Sequence, residues 1–213
     1  MDSRILQFEE GLLSMDRILC RTLLQEAMTG DGGLAAVESI VGPSLARIGD
    51  RWEAGELALT QVYMGGRICE DLLGEFCPPE NPLATGGPKI GVAVLLDHHQ
   101  LGKRIVSSAL RAGGFRVLDF GQGLEPKELA RRVRKEPVAI LMVSVLMTNS
   151  ALHIRELREE LGEGPDRPRL VVGGAPFRLN QVLWQEVGAD AVGHTGVDAV
   201  MIAQRILEET CAQ

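Results

Sequence analysis

The residues with the clearest chemical potential lie in one short loop, where Asp97 is followed two positions later by His99. The loop follows an apolar run over 89–96, which predicts a buried strand, and precedes a helical pattern over 103–111. A carboxylate can orient an imidazole through one ring nitrogen and leave the other free to bind a metal. Taken alone, the pair also fits an ordinary loop hydrogen bond.

No second His or Cys is spaced to complete a zinc site around this pair. A protein that supplies one metal ligand suits a metal whose other positions are held by a macrocycle. The sequence therefore predicts, as one possibility, a macrocycle-bound metal above the loop.

Strand and helix patterns alternate from residue 89 onward, which predicts a parallel sheet with right-handed crossovers. The strand patterns are apolar throughout, as expected when helices cover both faces. We expect an α/β, flavodoxin-like (Rossmann-type) domain whose ligand crevice lies between the first and third strands. The predicted strands cover 89–96, 115–120, 138–143, 169–172 and 191–192, and the predicted helices cover 103–111, 126–135, 150–161, 180–187 and 197–209.

The first third of the chain is helical in pattern, which predicts a four-helix bundle over 1–76. Gly42-Pro43 is expected to end one helix and begin the next. The segment 77–88 contains four prolines and two glycines, so it is predicted to be a linker before an α/β domain over 89–213. The predicted helices cover 12–27, 34–41, 43–48 and 59–76.

Composition limits the possible partners. The net charge of −7 argues against nucleic acid, and no apolar run is long enough to span a bilayer. The amino terminus lacks the basic and apolar regions of a signal peptide, so we expect a cytoplasmic protein without membrane contact. The four cysteines have no zinc-site spacing and are expected to be buried or incidental thiols.

Three short motifs resemble the cobalamin-binding domains of the methionine synthase and corrinoid protein family. They are Asp97-x-His99-x-x-Gly102, then Ser144-x-Leu146, then Gly173-Gly174. The intervals between them, 41 and 26 residues, are typical of that family. The resemblance implies that the chain binds cobalamin at the carboxyl ends of its strands.

The resemblance also implies roles for the motif residues. His99 would be the lower axial ligand of the cobalt, replacing the benzimidazole of the corrinoid, with Asp97 as its hydrogen-bond partner. Ser144 would hydrogen-bond near the buried base of the nucleotide tail, and Leu146 would pack on that base. The glycines of the pattern are Gly102, Gly173 and Gly174, and the last two would leave room for the tail.

The helical segment around 48–56 is similar to the helical module of corrinoid methyl carriers, which covers the upper face of the cobalt. The candidate cap residues are Trp52, Tyr63 and Met64. The same three side chains would also suit a helical core. Light-sensing relatives have a Glu-His pair where this chain has Val62 and Tyr63, so no upper histidine ligand is expected.

The function implied by the resemblance is that of a corrinoid methyl carrier, not an enzyme on its own. One methyltransferase would place a methyl group on cobalt, a second would remove it, and a reductive activase would be a further partner. Two alternatives stay open: a cobalamin-dependent sensor and the small subunit of a radical mutase. The helical pattern over 12–76 argues against the mutase subunit.

Overall fold

The computed structural model describes residues 2–29, 33–76, 88–164 and 167–211. The chain divides into two compact units, Met1–Pro78 and Pro79–Gln213. The linker predicted over 77–88 lies outside the described residues except for Pro88. Within the described ranges, no helix combines the length and apolar character that a membrane span requires.

The first unit consists, in its described residues, of four helices, each of which packs against the other three. Its core includes Phe8, Leu12, Leu24 and Leu72, all without exposed surface. Cys20 and Cys69 are buried thiols of this core, and burial raises the pKa of Cys20 to about 11. The helices are α1 (Ser3–Leu13), α2 (Arg17–Thr29), α3 (Gly33–Glu53) and α4 (Leu59–Phe76).

The single helix predicted over 12–27 is wrong, because the chain turns between α1 and α2. Met15 has a left-handed backbone with a φ of +59°, which no helix can contain. The two helices then cross closely: a Cβ added at Gly11 would lie 2.8 Å from Sγ of Cys20. The apolar spacing continues through the turn, so it did not reveal the break.

The helix break predicted at Gly42-Pro43 is also wrong, since α3 is continuous through both residues. A proline inside a helix leaves the carbonyl four residues earlier without its usual donor, and here that residue is Ser39. Gly42, Pro43 and Ser39 are all exposed, so water can solvate the carbonyl. The opposite face, which includes Val37, Ile40, Val41, Ser44 and Ile48, stays buried and holds the helix together.

A buried carboxylate ties α1 to α3. Glu9 is 3% exposed, and its two oxygens accept hydrogen bonds from Arg47 Nε at 2.5 Å and Arg51 Nη1 at 2.8 Å. Burial acts to raise the pKa of Glu9, but the two guanidinium hydrogen bonds outweigh it and hold the pKa below its ordinary value.

We expect the stability of the first unit to decrease as the pH falls below the ordinary glutamate pKa of 4.5 and through the lower pKa of folded Glu9. Near pH 7, Glu9→Gln should lower the melting midpoint by about 2–4 °C, the equivalent of roughly 1 kcal/mol. The difference between wild type and variant should shrink towards pH 3, as measured by circular dichroism. Glu10→Gln, at an exposed neighbour, should follow wild type; a constant Glu9→Gln deficit at all pH values would contradict the expectation.

The second unit contains a five-stranded, all-parallel sheet with the order β2-β1-β3-β4-β5, which confirms the predicted flavodoxin-like architecture. One buried cluster packs on each face of the sheet. The strands are β1 (Lys89–Leu95), β2 (Arg116–Leu124), β3 (Ile140–Ser144), β4 (Arg169–Gly173) and β5 (Ala191–Gly193). The helices are α5 (Leu101–Ala112), α6 (Pro126–Lys135), α7 (Thr148–Leu152), α8 (Ile154–Leu161), α9 (Ala175–Leu179), α10 (Leu183–Glu186) and α11 (Gly196–Cys211).

Several predicted elements of this unit differ from the structure. The helix predicted over 180–187 is only the four-residue α10, because residues 180–182 form a turn before it. The second strand extends beyond residue 120 to Leu124, through a register shift against β1 in which Gly121 pairs with Ala93. The helix predicted over 150–161 is two helices, α7 and α8, which meet at His153. The short helix α9 was not predicted, because Gly174 just before it and Pro176 in its first turn are residues typical of a loop.

Candidate functional site

The carboxylate of Asp97 joins two of the sequence motifs. Asp97 is 8% exposed and follows β1. Its Oδ1 accepts a hydrogen bond from the backbone N–H of His99 at 3.0 Å, and its Oδ2 accepts one from the N–H of Leu146 at 3.1 Å. The loop after β1 is therefore fixed to the loop after β3, on both sides of the predicted crevice.

The ring of His99 lies beside the same carboxylate. Its Nδ1 is 3.4 Å from Oδ1 of Asp97, and the side chain is 55% exposed. The nitrogen left for a metal is Nε2, on the far side of the ring from the carboxylate. This arrangement places one accessible imidazole beside a buried carboxylate at the edge of the sheet.

The chain reaches this geometry through a strained turn. Leu96 has a φ of +59°, a conformation that non-glycine residues adopt only where the surrounding structure imposes it. The N–H of Leu96 donates to the carbonyl of Leu124 at 3.1 Å, and the N–H of Gly123 donates to the carbonyl of Asp97 at 2.8 Å. The end of β2 thus holds the turn in place.

The two neighbouring histidines point in different directions. A Cβ added at Gly123 would lie 2.5 Å from Cε1 of His98, so the His98 ring rests against the end of β2. The His99 ring lies beside Asp97 instead. Of the two, His99 has the carboxylate partner that a metal-binding imidazole needs.

Gly102 and Ser144 bring α5 against the end of β3. A Cβ added at Gly102 would lie 2.8 Å from Oγ of Ser144, so a larger residue there would require the Ser144 hydroxyl to move. Ser144 is partly buried, and the following Leu146 is 43% exposed although it is a large apolar residue. An exposed leucine next to a glycine-lined edge suits an apolar ligand.

Gly173 and Gly174 complete the edge after β4. A Cβ at Gly173 would lie 2.8 Å from the carbonyl oxygen of Gly193, and one at Gly174 would lie 1.8 Å from that of Val145. The N–H of Val145 donates to the carbonyl of Gly173 at 3.0 Å. Packing of the protein itself therefore requires glycine at both positions, a requirement that is separate from the room predicted for a ligand.

The three candidate cap residues lie in the first unit, away from its core. They lie on α3 and α4, and each is a large side chain with substantial exposure. The exposed fractions are 45% for Trp52, 65% for Tyr63 and 38% for Met64. The helical core therefore does not account for them.

An ion pair beside the site was not assigned from the sequence. Nζ of Lys103 lies 2.8 and 2.9 Å from the two oxygens of Asp119, and the Lys103 side chain is 5% exposed. A buried lysine requires such a partner. The signal was present in the sequence as a single aspartate inside the apolar pattern of β2.

Two family models, both described as B12 binding domains, match residues 87–203 and 5–75. The chain belongs to the B12-binding family, and cobalamin is its cofactor, as the family resemblance of the three motifs implied.

The curated relatives are corrinoid proteins. Monomethylamine corrinoid protein 2 of Methanosarcina acetivorans is 30% identical over 200 residues, which cover 89% of this chain and 90% of the relative. A corrinoid protein of Desulfitobacterium hafniense is 28% identical over 210 residues, 94% of this chain and 96% of the relative. The structure of the Methanosarcina barkeri monomethylamine corrinoid protein has the same fold, with a TM-score of 0.80 at 24% identity over 93% of this chain and 96% of that one.

The residues at the edge fit a corrinoid. Within the described part of the chain, no group of three or more His, Cys, Asp or Glu side chains could hold a metal ion. The edge instead has one accessible imidazole beside a buried carboxylate, an arrangement compatible with a metal whose other ligands come from a macrocycle. The residues that the structure brings to this edge are Asp97, His99, Gly102, Ser144, Leu146, Gly173 and Gly174.

Proposed function

We propose that this chain carries methyl groups on a corrinoid cobalt between methyltransferases, with His99 as the lower ligand of the cobalt. The observation that carries the proposal is the Asp97 carboxylate, which orients His99 and at the same time binds the N–H of Leu146. The bound corrinoid supplies a cobalt centre that accepts a methyl group and later gives it up. The chain supplies a ligand to the cobalt, the surface on which the corrinoid binds and the surfaces that the methyltransferases contact.

Asp97 would position the His99 ring for the metal. Its Oδ1 lies beside Nδ1 of His99 and accepts a hydrogen bond from the His99 backbone N–H, so Nε2 is the ring nitrogen left for the metal. Loss of the Asp97 carboxylate would leave the imidazole without this neighbour, and Nε2 would then be less well placed to bind the cobalt.

The remaining motif residues form the surface on which the corrinoid would bind. Ser144 offers a hydroxyl, and Leu146 an apolar surface, to the nucleotide tail of the corrinoid. Gly102, Gly173 and Gly174 have no side chains, so the backbone segments at the ends of the strands can pack close together at the corrinoid site. In the first unit, the exposed Trp52, Tyr63 and Met64 offer an apolar surface suited to the upper face of the ring.

The partners follow from this division of labour. A methyltransferase would bind the methyl donor, a second would bind the acceptor, and a reductive activase would restore reduced cobalt. The chain is then a carrier subunit and not an enzyme on its own, and the cytoplasmic location expected from the sequence is part of the proposal. Several of its relatives are named as methylamine corrinoid proteins. A structural neighbour with a TM-score of 0.53 at 24% identity comes from a methanol:cobalamin methyltransferase complex of Methanosarcina barkeri.

A labelled methyl group tests the carrier function. The chain is loaded with hydroxocobalamin, reduced with Ti(III) citrate, treated with ¹⁴C-methyl iodide and passed through gel filtration in the dark. We expect about one label per chain, which light releases and which a corrinoid-dependent methyltransferase transfers to a thiol or folate acceptor. The cobalamin-free chain is the control for alkylated cysteine, whose label light does not release. Label that is absent, stable to light or not transferable would contradict the proposal.

A further inference from the structure

The segment Gly121-Gln122-Gly123 at the end of β2 is held rigidly next to the His99 loop. The two glycines have φ angles of +103° and +65°, so the segment departs from regular strand geometry. Oδ1 of Asp119 accepts a hydrogen bond from the N–H of Gly121 at 2.8 Å, and the N–H of Gly123 donates to the carbonyl of Asp97 at 2.8 Å. Gln122 is therefore fixed between two hydrogen-bonded residues.

The Lys103–Asp119 ion pair anchors this segment from α5. The buried ammonium of Lys103 contacts both oxygens of Asp119, so the carboxylate that binds Gly121 is itself held in place. Lys103 directly follows Gly102 of the first motif. The anchor, the segment and the His99 loop thus form one connected structure at the same edge of the sheet.

The side chain of Gln122 has an unusual feature within this ordered region. Its Oε1 is inaccessible and has no hydrogen-bond partner, and no other buried side-chain N or O atom of the described residues lacks one. An enclosed amide oxygen without a donor destabilises the folded protein, whereas an apolar side chain of similar size would not. Such a cost suggests a role that the cofactor-free protein does not reveal.

We propose that Gln122 is a further corrinoid-binding residue, whose side-chain carbonyl accepts a hydrogen bond from a primary carboxamide on the edge of the corrin ring. The inference rests on the proposed function. A corrin ring held through His99 would be much wider than that imidazole, and its peripheral carboxamide N–H groups would supply the donors that Oε1 lacks. The side chain must rotate outward to meet them, which sacrifices no hydrogen bond of Oε1.

The test combines stability with ligand affinity. In Gln122→Met, we expect the cobalamin-free chain to melt about 2–4 °C higher than wild type, because the unpartnered oxygen is gone. We expect the dissociation constant for hydroxocobalamin, measured by absorbance titration, to rise about tenfold, because the bound hydrogen bond is lost. Gln185→Met, at an exposed position of α10, is the matched control and should change neither quantity.

Two further arms identify the contact. Cobinamide keeps the ring carboxamides but lacks the nucleotide tail, so Gln122→Met should weaken its binding by a similar factor. Gln122→Glu keeps an acceptor oxygen at the same reach and should bind hydroxocobalamin within about threefold of wild type, which also covers the case in which Gln122→Met fails to fold.

Each contrary outcome has its own meaning. An unchanged affinity of Gln122→Met for hydroxocobalamin would overturn the assignment. A lower affinity for hydroxocobalamin with an unchanged affinity for cobinamide would overturn it too, because the contact would then be to the nucleotide tail. A lower melting midpoint would show that Gln122 is a structural residue and would overturn it as well. If wild type itself binds no hydroxocobalamin, the proposed function fails and not this inference alone.

Discussion

Replacing His99 with alanine should remove the protein nitrogen from the cobalt of the bound corrinoid, whereas replacing His98 should leave it in place. The reason lies in the surroundings of the two rings. His99 lies beside the buried carboxylate of Asp97, and His98 rests against Gly123. If the corrinoid binds at this loop, we therefore expect the cobalt to take Nε2 of His99, and not a nitrogen of His98, as its protein ligand.

Electron paramagnetic resonance of the Co(II) form measures this directly. The chain is labelled with ¹⁵N at histidine and loaded with unlabelled hydroxocobalamin, so that a histidine nitrogen splits each cobalt line into two. A benzimidazole nitrogen of the corrinoid would split it into three. We expect twofold splitting in wild type and in His98→Ala, and its complete loss in His99→Ala.

The pair of variants makes the result decisive. Twofold splitting that persists in His99→Ala and disappears in His98→Ala would assign the ligand to the other histidine. Threefold splitting in wild type would show that the corrinoid keeps its own base, and the role proposed for Asp97 in positioning His99 for the cobalt would then fail too. His98→Ala also reports on folding, because it changes the same loop by a residue of the same size.

The sheet could be predicted from sequence because its signals are local. Each strand is a short apolar run, and turn residues or helical patterns separate the runs, so the alternation and the crossover rules predict a parallel sheet, for which a flavodoxin-like order was the expected choice. The helix boundaries of the first unit were harder to predict, because local sequence features there indicated the wrong boundaries. Pro43 indicates a break that burial of the opposite face of α3 overrides, and the turn at Met15 interrupts an apolar spacing that continues on both sides.

In the candidate site, too, some features could be predicted from the sequence and others depend on packing between distant residues. The order and spacing of the three motifs identified the loops through a family resemblance. The contact between Asp97 and the N–H of Leu146 joins residues 49 positions apart, and no local pattern contains it. The unpartnered oxygen of Gln122 is likewise invisible in sequence, because it is defined by what surrounds the side chain.

Replacing Gly174 with alanine should destabilise the second unit severely, even without cofactor. Gly174 has a φ of +123° and a ψ of 179°, a region that only glycine adopts readily. The added Cβ would also lie 1.8 Å from the carbonyl oxygen of Val145, a backbone atom that cannot rotate away. The two effects together should lower the free energy of unfolding by about 4 kcal/mol or more.

Gly162 provides a matched control. It has a φ of +79° and a ψ of −174°, the same backbone region, but a Cβ there would meet nothing within 4 Å. Gly162→Ala therefore measures backbone strain alone and should cost about 1–3 kcal/mol. The further decrease in the free energy of unfolding of Gly174→Ala, beyond that of Gly162→Ala, measures the cost of moving the Val145 backbone away from the third motif.

Urea unfolding followed by tryptophan fluorescence measures both variants. Trp184 packs against the core of the second unit, so a Trp52→Phe background leaves a single reporter for that unit. If Gly174→Ala unfolds at the same urea concentration as its background and loses only hydroxocobalamin affinity, Gly174 is kept for the ligand, as the family resemblance implies. If Gly174→Ala unfolds at a much lower urea concentration than its background, and at a lower one than Gly162→Ala, the glycine is needed mainly for the packing between the loops after β3 and β4. That contact helps to position Leu146, whose N–H binds Asp97, so the same substitution should loosen the loop that holds His99.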